Sequence, residues 1–117
     1  MEEKEWYSTE EAASLAGVTY SRLDNWERVG YLVPTVAAAG SGRPRRYTAA
    51  DVEAARLAAK LAALGLHQDF IRPGIEAVQK GVRGECLILD GVTAYPHDPF
   101  DPLAEPKDGV YVLVWLR

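Results

Sequence analysis

Between Thr19 and Asn25 the chain sets five hydrogen-bonding side chains in close succession: Thr19, Tyr20, Ser21, Arg22 and Asn25. Eighteen positions after Asn25 comes a second group, Arg43, Arg45, Arg46 and Tyr47, and no acidic residue occurs from Val29 to Ala50. The chemistry open to these groups is recognition, not bond-making. A guanidinium at Arg22 matches the paired acceptors of guanine and a carboxamide at Asn25 matches adenine, each worth roughly 1–3 kcal/mol of discrimination. Hydroxyls at a helix start, such as Thr19 and Tyr20, reach phosphate more readily than base edges. Three arginines beside glycines can clamp phosphate or enter a narrow minor groove. Catalytic and metal-binding readings have less to stand on. His67, His97 and Cys86 each stand alone in their segments, with no pair at ligand spacing. No phosphate loop, nucleophile elbow or paired carboxylates occur, so the expectation is a protein that is no enzyme and takes no cofactor or metal.

Helices must hold the first group. Ser8 and Glu11 form the ends of a capping box, Ala12, Leu15 and Ala16 follow at helical spacing, and Gly17 stops the helix. Thr19 caps a second helix, in which Leu23 and Trp26 share a face and mark Trp26 as core; Tyr31 fits either role. Two short helices about a glycine turn have helix-turn-helix form, with residues 19–29 as the recognition helix.

The second group needs a hairpin. Tyr31–Pro34 reads as extended, Gly40-Ser41-Gly42 as a tip, and Arg43–Tyr47 as the returning arm, giving a wing over residues 40–47. Thr48 to Asp51 caps a third helix with Val52, Leu57, Leu61 and Leu64 as its apolar stripe. A fourth helix is expected over Leu66–Lys80, interrupted near Pro73-Gly74. Beyond Gly81 the period becomes two. Glu85–Leu89 and Val92–Tyr95 flank Asp90-Gly91, a hairpin signal. A loop from Pro96 to Asp108 leads to Gly109–Leu116, apolar on both faces and expected as a central or an interface strand.

The whole-chain numbers fit such an arrangement. At 117 residues and 26% charged, 48% hydrophobic, this is the composition of one compact globular domain or one with an appendage. No stretch approaches a membrane span, the acidic start is no signal peptide, and one cysteine points to a reducing cytosol. The net charge of −4 hides its layout. Residues 1–16 carry net −4 and residues 84–117 net −4, whereas residues 17–47 carry +3 and residues 48–83 carry +1. The basic excess lies in the segment that holds both candidate groups, and a local patch is what contacts phosphate. The acidic ends read as solvated surface, or as a tail that screens DNA.

Tyr7–Thr19 (YSTEEAASLAGVT), Leu23–Pro34 (LDNWERVGYLVP), Gly40–Thr48 (GSGRPRRYT) and Asp51–Leu66 (DVEAARLAAKLAALGL) together resemble the MerR family of bacterial transcription regulators, closest to an actinobacterial subgroup. The order and spacing match over about two-thirds of the chain. Members usually carry Leu-Arg-Tyr-Tyr-Glu where this chain has Leu23-Asp24-Asn25-Trp26-Glu27, and no long coiled-coil helix pattern follows Lys80. The resemblance implies a mainly α fold with a small β appendage: a winged helix-turn-helix over residues 1–81, then a short antiparallel sheet over residues 82–117. It further implies a regulator bound to double-stranded DNA in the cytoplasm, nucleoid-associated, with residues 19–29 in the major groove. A homodimer through the C-terminal strands is expected, and no small-molecule effector, because 34 residues beyond Arg83 are too few to enclose a pocket of ~300 Å³. Two alternatives stand beside it. An excisionase-like architectural binder would load on direct repeats, and a protein-interaction module would have lost DNA affinity, as Asp24 in the second helix suggests.

Overall fold

The computed structural model describes residues 6–36, 46–82, 86–98 and 112–116. Four helices come first: α1 (Thr9–Ala16), α2 (Tyr20–Arg28), α3 (Ala49–Ala63) and α4 (Gln68–Gln79). Three strands follow, β1 (Cys86–Leu89), β2 (Ala94–His97) and β3 (Val112–Trp115), in an antiparallel sheet of order β2-β1-β3. The fold is mainly α with a small β appendage, as the sequence implies.

The helix ends form where local chemistry demands them. Ser8 and Glu11 exchange side-chain-to-backbone hydrogen bonds of 3.1 Å in both directions. Gly17 then turns the chain with φ 77°, a left-handed conformation that side chains resist, and the Val18 amide closes back onto the Ala13 carbonyl. Thr48 and Asp51 make the second capping box at the start of α3. Leu23 and Trp26 of α2 are buried as their spacing requires.

Several expectations are corrected. Leu15 is exposed, and Ala12, Ala13 and Ala16 bury the inner face of α1 instead. Leu64, the residue that caps the end of α3, is 74% exposed. Tyr31 and Leu32 are not extended: both amides donate to the Trp26 carbonyl, folding the chain around the end of α2. α4 is continuous through Pro73. Proline removes one backbone bond there, but the next residue, Gly74, is buried against α3 and β1. A Cβ on Gly74 would lie 3.1 Å from Leu89 Cδ2 and 3.3 Å from Leu57 Cδ2, so a larger residue there requires those leucines to give by a few tenths of an ångström.

The C-terminal hairpin also differs from its expected form. Its loop spans Asp90 to Thr93, because the Asp90 carboxylate accepts from the Val92 and Thr93 amides at 3.0 and 2.8 Å. β2 therefore starts at Ala94 and runs through Pro96, which an edge strand tolerates. β1 is the central strand and buried throughout; β3 is an edge strand, so the central placement expected for the C-terminal run is overturned. Gly109–Tyr111 lie outside the described residues. Leu87 and Leu89 join the same apolar core as α1 to α4, and Val112 and Val114 pack against it.

Candidate nucleic-acid interface

The interface begins with a capped helix end. Thr19 is extended (φ −75°, ψ 155°) and its hydroxyl accepts from the Arg22 amide at 3.1 Å. This fixes the first turn of α2, and Thr19, Tyr20, Ser21, Arg22 and Asn25 are all exposed. Ser21, Arg22 and Asn25 fall within one turn of each other, and Leu23 and Trp26 anchor the opposite side in the core. The fold thus brings together all five residues picked from the first group.

Arg22 has a further support. Its guanidinium carbon lies over the Trp26 ring, 5.0 Å from the centroid, and Tyr31 meets the same indole edge-on at 5.5 Å and 74°. Tyr31 is thereby core, 6% exposed. Burial pushes its phenol up to about 12, against the opposing pull of the Arg22 and Arg72 charges. Asp24, the acidic residue within α2, turns to Arg28 at 3.0 Å along the helix. Its charge is compensated on α2 itself, one turn away.

The second group is anchored at its base. Val36 and Arg46 exchange two backbone hydrogen bonds of 3.2 and 2.8 Å, and Tyr47 and Tyr7 exchange two more of 2.8 and 2.7 Å. Arg43 and Arg45 lie outside the described residues. Arg46 is exposed, and the next residue along an extended chain must face the other way. Tyr47 does so, and it is fully buried. Its assignment as a DNA contact is therefore corrected: its ring is core, and alternation alone carries the reason.

A buried carboxylate ties this base to the body. Asp51, 0% exposed, accepts from the Thr35 amide (2.8 Å), the Thr35 hydroxyl (3.0 Å), the Thr48 amide (2.9 Å) and Gln79 Nε2 (2.9 Å). Gln79 Nε2 also donates to the Val33 carbonyl at 2.8 Å, so the end of α4 holds the entry to the hairpin. Sequence reading found the Thr48–Asp51 cap but not Thr35 or Gln79, since no local pattern marks partners 16 and 28 residues away. It also passed over Arg72, whose Nη2 donates to the Gly30 carbonyl at 2.8 Å.

Among the described residues no group of three or more His, Cys, Asp or Glu could hold a metal ion. Nor is any described helix long and apolar enough to cross a membrane. His67 acts as the N-cap of α4, its Nδ1 accepting from the Asp69 amide.

Known proteins match this chain in sequence. Uncharacterized HTH-type transcriptional regulators of Mycobacterium bovis and Mycobacterium tuberculosis are 34% identical to the chain over 94 residues, 76% of this chain and 42% of theirs. The chain thus corresponds to less than half the length of the curated relatives it matches. The family model for MerR HTH family regulatory proteins matches residues 7–73, which run from the strand partner of Tyr47 through α1, α2, the hairpin base and α3 into α4. On that match, with the capped helix pair and hairpin base it covers, the chain belongs to the MerR family of HTH regulatory proteins.

Proposed function

We propose that this protein is a sequence-specific DNA-binding transcriptional regulator with no enzymatic role. The supporting observation is the exposed polar first turn of α2, carrying Ser21, Arg22 and Asn25 over a buried Leu23–Trp26 anchor. In this reading α2 enters the major groove, Arg22 contacts guanine, and Asn25 contacts adenine. Thr19 and Tyr20 contact phosphate, and Arg43, Arg45 and Arg46 clamp the backbone or minor groove beside it.

The protein acts as a homodimer through its C-terminal strands. What favours this is β3, an edge strand whose Leu113 and Trp115 are 43% and 57% exposed. A two-fold dimer requires a palindromic site with half-sites spaced by whole helical turns.

The test is selection of random duplexes by the purified protein at near-physiological salt, followed by sequencing. The expected result is an enriched palindrome, with discrimination at one base pair lost in Arg22→Ala, and a sedimentation mass twice that of the chain. A direct repeat would support side-by-side loading instead. A folded protein that enriches nothing would overturn the DNA reading.

A further inference from the structure

The arginines near α2 divide into two kinds. Arg28 is paired with Asp24, and on α3 Arg56 is paired with Glu53. Arg22 and Arg72 have no carboxylate partner among the described residues. Arg72 comes from α4, yet its Nη2 reaches the carbonyl of Gly30, 42 residues earlier and just past the end of α2. Gly30 adjoins Tyr31, Tyr31 abuts Trp26, and Trp26 carries the Arg22 guanidinium. The two unpaired cations thus flank one aromatic pair, and each acts on the Tyr31 phenol. Arg72 is exposed, and one bond to a carbonyl leaves most of its five donors unused. An exposed guanidinium with spare donors, making no ion pair with Asp69 or Glu76 although both lie one turn away on α4, is suited to a phosphate diester.

We propose that Arg72 is a DNA-backbone contact, held beside the recognition helix by its bond to Gly30, so that α4 contributes to the interface along with α2 and the wing. This deepens, and rests on, the reading of α2 as the recognition helix. A backbone contact strengthens binding equally on all sequences and changes its salt dependence.

The experiment measures affinity against salt for the full chain, Arg72→Gln and Arg72→Met, on a selected duplex and on one of mixed sequence. Circular dichroism establishes that each variant is folded. The expected result is a log–log salt slope shallower by about 0.9 on both duplexes, with the selected motif unchanged. Arg72→Lys is expected to keep the slope. Weaker binding at an unchanged slope would show that Arg72 merely secures the end of α2 and would overturn the proposal. So would an unchanged affinity, while selection that still depends on Arg22 would leave the reading of α2 standing. Failure of the parent on both duplexes would overturn the two together.

Discussion

At the scale of single residues, the candidate interface works by separating what must be dry from what must be wet within one turn of helix. Trp26 and Arg22 are four positions apart, and the first is core while the second is exposed over its ring. Tyr31 completes the support from beyond the helix, and its burial has a pH signature. Its phenol ionises near 12 when folded, against an ordinary value of 10.0. The folded state therefore holds a proton that the unfolded chain releases between those values. The contribution is fully present below pH 10 and is lost as pH rises through about 12. A phenolate absorbance titration of the folded chain should show a late step near pH 12, and that step should lose one tyrosine's amplitude in Tyr31→Phe. An early ionisation of every tyrosine would contradict the packing of Tyr31 against Trp26.

Among the secondary elements, what was legible in the sequence is what the chain settles within a few residues. Ser8–Glu11, Gly17, Thr19 and Thr48–Asp51 all cap as their types and spacings require. Leu15 and Leu64 are exposed despite their spacing, because apolar spacing gives a face but not the partner that covers it. The break expected at Pro73 does not occur: α4 runs through it, with Gly74 buried against Leu57 and Leu89, contacts distant in sequence. Asp51 joins elements in the same hidden way. Four donors point at its two oxygens, two at each, from the hairpin entry, the α3 cap and the end of α4. An asparagine there would set an amide donor against donors whichever way it turned. Asp51→Asn is expected to cost about 2 kcal/mol or more of stability, with the urea midpoint lowered and the slope unchanged. Because Gln79 would lose one of its two acceptors and keep the Val33 carbonyl, Gln79→Leu on the Asp51→Asn background should cost less than on the parent.

The whole molecule does not divide where its sequence periodicity does. Helical spacing ends at Gly81, which separates a winged helix-turn-helix from a small sheet on paper. Yet Leu87 and Leu89 of the sheet share one core with Ile71 and Ile75 of α4 and Leu57 of α3. β1 is buried over all four residues, which no period-two pattern reveals because alternation is lost when both faces are covered. The C-terminal stretch of net charge −4 thus also supplies core through β1. Removing residues 84–117 would strip both, so truncation cannot separate a screening tail from a structural one. Burying a leucine is worth roughly 1.5–3 kcal/mol, and a small domain holds only about 5–15 kcal/mol in reserve. The loss of Leu87, Ile88 and Leu89 together approaches that reserve. Residues 1–81 alone are therefore expected to melt without a cooperative transition, where the full chain unfolds in one. If the fragment melted cooperatively at the parent's midpoint, the sheet would be an appendage in energy as well as in sequence. Otherwise the β1 strand is what keeps α3 and α4, and with them Arg72 and the Asp51 junction, in register with the recognition helix.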